Sequence, residues 1–352
     1  MKKIAILFGG CSSEYEVSLQ SAYAVIRHLD RERYEPVLIG IDWKGHWYLF
    51  EGAVETIPED HWWEEPECYP ALVSPDRELH GLIVFRNGWE EKPQRLSVDA
   101  AFPVLHGKNG EDGTVQGVLE LAGIPIVGCQ TMASALCMDK DMAHRVAGAA
   151  GIKVPNSFVI TTENRTQAKD VAKELHYPIF IKPLRAGSSF GITKVSQPEK
   201  LEEAIELAFT HDSIVVMEEM IEGFEVGCAV LGTTDLVVGA VDEIELSEGF
   251  FDYTEKYTLK SSSIHVPARI ADEAAAKIRE TAKLIYRSLG CSGFARVDMF
   301  FTPRGEIYFN EVNTIPGFTE HSRYPGMMKA AGFTFEEIVN RLVEQTLQEE
   351  VR

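Results

Sequence analysis

The stretch FARVDMFFTPRGEIYFNEVN, residues 294–313, restricts the possible folds of this chain more than any other. Two apolar runs flank a turn-forming TPRG, a pattern that predicts an antiparallel hairpin. Inside those runs stand Arg296, Asp298, Glu311 and Asn313. Polar groups in a buried strand cost free energy unless something pairs with them. A two-residue turn at Arg304-Gly305, a favourable hairpin connection, sets Asp298 opposite Glu311 and Arg296 opposite Asn313. Directly opposed residues share one side of a sheet, so the four polar groups converge.

Two facing carboxylates repel each other unless a proton or a cation lies between them. With an amide oxygen beside them they suit a hard cation such as Mg²⁺, which completes its shell with water and substrate phosphates. Arg296 cannot ligate a metal; it offers a planar donor fork to an oxyanion or a phosphate. The plainer alternative is an arginine–carboxylate pair beside a solvated asparagine. The apolar neighbours Val297, Met299, Phe300, Phe301, Phe309 and Val312 favour the metal-nucleotide reading.

Elsewhere KKIAILFGG reads as a buried strand and a tight turn. The helix after it has Ser13 and Glu16 at capping-box spacing and Ala22, Val25, Ile26 and Leu29 along one face. YEPVLIGID is the next strand, so the chain opens as a parallel α/β domain. Residues 51–95, rich in Trp, Glu and Pro, read as an irregular excursion. SALCMDKDMAHRVAGAAGIKVP reads as one helix stopped by Gly151 and Pro155. YPIFIKPLRAGSSFGITKV gives two strands around a glycine-serine loop, and SIVVMEEMI another strand. A late helix carries Ala275, Ile278, Ala282, Ile285 and Leu289 on one face with Gly290 as its stop. TFEEIVNRLVEQTL closes the chain as an amphipathic helix.

The chain's 352 residues allow two or three domains. A net charge of −20 with no basic run argues against nucleic acid or an anionic membrane as the main partner. One ATP is still admissible, because it needs only a local cluster of donors. Six scattered cysteines without a C-x-x-C pair imply buried reduced thiols, not a zinc site or a disulfide framework. The first apolar run is too short for a membrane span, which makes a cytoplasmic protein the expectation.

The segment RAGSSFGIT, 185–193, could wrap a phosphate with backbone N–H groups, although it is no Walker loop. Lys182, just before it in an apolar strand, needs an anionic partner. Lys140 is a weaker candidate, since helix lysines are usually solvated. MEEMIEGFEVG brings Glu218, Glu219 and Glu225 around a strand end, where acids are usually exposed but can also bind ribose hydroxyls. HGKNGEDG, 106–113, is either an anion nest or a mobile turn, and a histidine such as His106 after an apolar strand is more often structural than catalytic. The acids of FGGCSSEYE repel a pyrophosphate and suit a substrate ammonium, with Glu16 taken by the capping box and Glu14 remaining for that role. GFFDYTEKYTLKSSS, 249–263, reads as a lid that excludes water, or as an ordinary tethered surface loop.

Taken in order, FGGCSSEYEVS, PVLHGKNGEDGTVQG, SALCMDKDMAH, IKPLRAGSSFGITKV, FFDYTEKY, GFARVDMFF and NEVNTIPGFT resemble the D-alanine–D-alanine ligase family of ATP-grasp enzymes. FFDYTEKYTLKSS and NTIPGFTEHSRYP are most similar to the vancomycin-resistance D-alanine–D-serine ligases of the VanG type. The resemblance implies an ATP-grasp α/β fold of three domains, 1–130, 131–217 and 218–352, with a lid at 245–263. It implies an ATP-dependent ligase for peptidoglycan precursors, acting through an acyl phosphate with one or two Mg²⁺ (or Mn²⁺). By motif, Asp298, Glu311 and Asn313 hold metal, while Lys140, Lys182, Glu218, Glu219, Ile221 and Glu225 hold ATP. Glu14, Ser188, Tyr257, Lys256 and Arg296 are catalytic, with Glu14 linked through Ser188 to Tyr257. His106, Phe251, Gly317, Ser322 and Arg323 border the substrates. Tyr257 argues against D-lactate as acceptor; D-alanine and D-serine both stay open, with polar Arg323 inclining towards D-serine. A homodimer is expected. Another ATP-grasp carboxylate–amine ligase, or a non-catalytic nucleotide-binding protein, is the alternative.

Overall fold

A computed structural model describes residues 1–187, 190–246 and 262–349. Ser188, Phe251, Lys256 and Tyr257, with residues 247–261 of the expected lid, lie outside the described residues. Three sheets organise the rest.

The first sheet holds β1 (Lys2–Gly9), β2 (Tyr34–Ile41), β3 (Trp47–Phe50), β4 (Cys68–Val73), β5 (Gly81–Val84), β6 (Gln94–Ser97) and β7 (Ala100–Pro103), in the order β6-β5-β4-β3-β2-β1-β7. β1 runs parallel to β2 and β7 and is buried from Ile4 to Phe8, which is why its sequence is a continuous apolar run. Pairing from β2 through β6 is antiparallel. Residues 51–95 are therefore no irregular excursion: β4, β5 and part of β6 fall within them and extend the sheet as a meander. Their turn residues obscured the short strands, and the aromatics mark contacts. Trp62 is fully buried against Phe8, Tyr48 and Phe50 and donates its indole N–H to Tyr15 Oη.

The helix Tyr15–His28 begins without the expected capping box, because Glu14 stands at the N-cap position and makes no side-chain cap bond. Ser12 Oγ accepts from the Glu14 N–H instead and donates to the His106 carbonyl. The capping box forms at the last helix, Phe335–Glu349, where Thr334 and Glu337 exchange backbone and side-chain bonds.

The second sheet, order β10-β9-β11-β8, comprises β8 (Ser157–Ile160), β9 (Ile179–Pro183), β10 (Thr193–Val195) and β11 (Val215–Glu219). The third, order β14-β13-β12-β15-β16, comprises β12 (Phe224–Leu231), β13 (Val237–Leu246), β14 (Ser262–His265), β15 (Phe294–Phe301) and β16 (Ile307–Asn313). The ends of the expected lid belong to this sheet, Glu245 pairing with Ser263.

The single helix expected around residue 140 is two, Thr131–Met138 and Lys140–Ala149. Asp139 breaks them: its backbone is extended and its carboxylate caps Met142 N at 3.0 Å. The helix Asp272–Ser288 ends as expected before Gly290, with Cys291 N–H donating to Tyr286 O and Gly290 N–H to Arg287 O. Four cysteines, Cys129, Cys137, Cys228 and Cys291, are buried free thiols, but Cys11 is exposed and Cys68 half-buried. Among the described residues no helix is long and apolar enough to cross a membrane. One apolar core joins the first and third sheets: Ile4, Ile6 and Phe102 pack with Phe294, Phe318, Tyr324, Met327 and Ile338.

Candidate active site

The β15–β16 hairpin pairs Arg296 with Asn313 and Asp298 with Glu311, as its sequence predicts, but by a different route. Nearer the turn the register is shifted by one, Met299 facing Phe309 and Phe301 facing Ile307. Thr302 N–H bonds to Glu306 O, which makes Pro303, Arg304 and Gly305 a three-residue loop. Gly305 has φ +74°, the left-handed position that such a loop requires. A β-bulge between Asp298 and Met299, with Asn310 as the extra residue, restores the register before the polar pairs begin. Longer turn and bulge cancel.

Asp298 is 1% exposed. The Arg296 guanidinium holds it through Nε at 2.8 Å to Oδ1 and Nη2 at 2.6 Å to Oδ2. Asn313 donates Nδ2 to Oδ2 at 3.0 Å, and Arg323 Nη2 lies 3.4 Å from Oδ1. Arg323 is buried. It grips buried Asp242 through Nε at 2.7 Å and Nη2 at 2.9 Å, and Glu225 through Nη1 at 2.9 Å. Burial pulls its pKa down, but Asp242 and Asp298 raise it well above the ordinary arginine value. Its side chain therefore serves carboxylates.

Lys140 stands at the first position of its helix, buried, with Nζ 2.9 Å from Ala186 O and 3.9 Å from Glu311 Oε2. Lys140, Ala186, Gly187, Glu311, Asn313 and Glu111 line one small cleft. Near Lys140, Lys182 of β9 meets Glu218 of β11 at 2.5 Å. Burial raises the Glu218 carboxyl, but Lys182, His144 and Lys140 together hold it below the usual range. Glu219 turns away and accepts from Asn156 N–H at 2.8 Å. Ile221 is half-buried. Gly317 and Ser322 are adjacent: a Cβ on Gly317 would meet Ser322 Oγ at 3.1 Å, and that hydroxyl accepts from Thr319 N–H.

Glu14 is buried between two glycines. A Cβ on Gly107, at φ +71°, would approach Glu14 Oε2 to 2.5 Å, and one on Gly187 to 2.9 Å. Neighbouring His106 is wholly engaged. Nδ1 donates to Ile315 O at 2.8 Å, while Nε2, at 3.0 Å, accepts from Ser21 Oγ. Burial lowers its pKa, so the ring is neutral, with Glu14 and Arg296 both close enough to act on it. The loop containing 106–113 is pinned by Glu111, which accepts from Gly107 N–H at 2.7 Å and from Ile315 N–H at 3.2 Å.

Sequence reasoning missed Asp242, Glu111 and His144. Asp242 had only a weak signal, since the strand VVGAVDEIEL carries Glu243 and Glu245 as well. Glu111 sits among other loop acids and His144 among helix polar residues, so neither stands out.

The donor set of Asp298, Glu311 and Asn313 fits a hard cation. Asn313 spends its Nδ2 on Asp298, which leaves its amide oxygen for a ligand, and Glu311 is partly open to the cleft. Among the described residues no three His, Cys, Asp or Glu side chains cluster to hold a metal alone. Phosphate and water oxygens would have to complete its shell.

Residues 3–129 match the family model D-ala D-ala ligase N-terminus, and 146–344 the model D-ala D-ala ligase C-terminus. The vancomycin/teicoplanin A-type resistance protein VanA of Enterococcus faecium is 47% identical, over 98% of each chain. A putative D-alanine–D-lactate ligase of Streptomyces coelicolor is 45% identical, over 99% of each. The crystal structure of the VanG D-Ala:D-Ser ligase from Enterococcus faecalis superposes with a TM-score of 0.91 at 56% identity, covering 98% of this chain and 99% of that one.

Proposed function

The chain belongs to the D-alanine–D-alanine ligase family, and from that premise we propose that it joins D-alanine to a second D-amino acid at the expense of ATP. The fold is that family's ATP-grasp fold. ATP passes its γ-phosphoryl group to the carboxylate of the first D-alanine, giving an acyl phosphate and ADP. The amine of the second substrate attacks that carbonyl, loses a proton, and inorganic phosphate leaves as the peptide bond closes. The product serves as a precursor of peptidoglycan.

Lys140 and Lys182 face the phosphates, while Glu218, Glu225 and Ile221 belong to the purine and ribose side. Asp298, Glu311 and Asn313 would hold Mg²⁺, which would neutralise phosphate charge. Arg296 stabilises the oxyanion of the tetrahedral intermediate; the edge it gives Asp298 makes no use of Nη1. Glu14 receives the first ammonium. His106, both of whose nitrogens are spent on protein atoms, acts by fixing the loop that carries Gly107 beside Glu14. The second substrate is D-serine in preference to D-alanine, a reading that rests on the likeness to the VanG ligase. Arg323, already committed to Asp242 and Glu225, lends it no separate support. The enzyme works in the cytoplasm as a homodimer.

The observation carrying this reading is the buried Arg296–Asp298–Asn313 cluster on one hairpin, with Glu311 and Lys140 meeting across the adjoining cleft. Incubation with ATP, Mg²⁺ and D-alanine, with and without D-serine, followed by mass analysis, tests it. D-alanyl-D-serine should dominate when both acceptors are present. No ADP and no dipeptide would overturn the ligase reading, and a majority of D-alanyl-D-alanine the acceptor assignment alone.

A further inference from the structure

His144 lies between Asn310 of β16 and Glu218 of β11, yet no step of the proposed reaction uses it. It lies on the buried face of the helix Lys140–Ala149, one turn beyond Lys140. Its Nε2 is 2.7 Å from the carbonyl oxygen of Asn310. A carbonyl only accepts, so Nε2 carries a hydrogen. Asn310 is the extra residue of the β16 bulge and directly precedes Glu311. The opposite ring nitrogen, Nδ1, faces Glu218 Oε1 at 3.8 Å. Neither of those two atoms has a hydrogen-bond partner among the described residues, although both are buried. The ring stands edge-to-face with Phe309, with centroids 5.3 Å apart, which fixes its plane. Lys182, hydrogen-bonded to Glu218, and Lys140 are the other charges around the pair.

A bulge carbonyl has lost its ladder partner and must find another. His144 supplies it, and the same ring forms the wall against which Glu218 rests. We propose that His144 is a positioning residue that couples the strand carrying Glu218 to the strand carrying Glu311. The inference rests on the reading of Glu218 as a nucleotide-side group and Glu311 as a metal-side group. Through the ring, displacement of either carboxylate is felt by the other, so nucleotide and divalent ion are bound as one geometry.

Two variants separate this from simple packing. His144→Phe keeps the ring and removes both nitrogens. His144→Gln keeps a donor for Asn310 O and removes the nitrogen that faces Glu218. Calorimetry gives the Kd of a non-hydrolysable ATP analogue at fixed Mg²⁺, and a Mg²⁺ titration at fixed analogue gives half-saturation; melting temperatures and the KM for D-alanine are taken alongside. His144→Phe should raise both constants about fivefold, the Mg²⁺ constant through the lost hydrogen bond to Asn310 O and the analogue Kd through the lost approach to Glu218, and leave the KM for D-alanine unchanged. His144→Gln should restore the Mg²⁺ constant but not the analogue Kd. A lower melting temperature with both constants within about twofold of the parent would make His144 a packing residue and end the proposal. Movement of only one constant in His144→Phe, or recovery of both or neither in His144→Gln, would equally overturn the coupling. If the unmodified protein bound no ATP analogue at all, the ligase reading would fall instead.

Discussion

Asp298 on β15 receives both Arg296 and Asn313 and lies beside Arg323, which in turn grips Asp242 and Glu225. Glu218 on β11 has Lys182 on one oxygen, while its other oxygen has no hydrogen-bond partner among the described residues. Both are buried carboxylates. The hairpin half is over-determined at its centre, where Asp298 is held by both Arg296 and Asn313 with Arg323 beside it, so its geometry is set before any ligand arrives. The strand-pair half keeps acceptor capacity unspent. Preorganised donors suit the place where charge develops in a reaction. Unspent polar capacity suits the place where a ligand is recognised, because ligand atoms then supply what the protein lacks.

The contrast breaks first, or holds, in turnover. Asp298→Asn should cut the rate of ADP release on the order of 100-fold or more, since it removes a metal-side charge and loosens Arg296 together. Near-parental turnover would remove the metal role from the hairpin. Stability sharpens the contrast next. Arg323→Leu strands the fully buried Asp242 and should cost about 3–5 kcal/mol in denaturant unfolding. Lys182→Met leaves Lys140 and His144 facing Glu218, so its cost should be smaller, about 1–3 kcal/mol. Equal losses would erase the difference between the halves.

Acid provides a finer probe. The folded-state pKa of Glu218 is depressed despite burial, because Lys182, with His144 and Lys140 beside it, outweighs the cost of burial. Such a group stabilises the fold above its unfolded pKa, about 4.3, and that contribution is lost as pH falls through the lower folded value. Glu218→Gln should therefore flatten the acid limb of a stability–pH curve, and an unchanged limb would show that Glu218 is not paired as described. The smallest expected effect lies at the hairpin turn. Gly305→Ala has open space for its methyl but a positive φ, so it should cost about 1 kcal/mol without altering the acceptor profile. A changed product ratio would mean that the register at Asp298 depends on the turn and not on the bulge.

Much of the hairpin was legible in the sequence, because strand alternation is a local property and Arg296, Asp298, Glu311 and Asn313 occupy matching positions on it. Even there the detail was not. The loop is one residue longer than expected, and the bulge at Asn310 cancels the shift, so the correct facing pairs came from two compensating departures. Arg323 marks the opposite case. Only the family resemblance set it beside the substrates, and its partners Asp242 and Glu225 lie 81 and 98 positions away. No spacing rule links such residues. The meander within 51–95 failed for a third reason: its strands are short, and their turn-rich flanks dominate the composition.

By itself the sequence determined the features that backbone periodicity dictates: the central parallel strands, the glycine stop at Gly290, and four polar groups on one face of a hairpin. The tertiary structure alone decided which charges neutralise one another across sheets, and which polar atoms were left for a ligand. A local pattern records which way a side chain points, whereas its partner depends on how three separate sheets come to rest against each other.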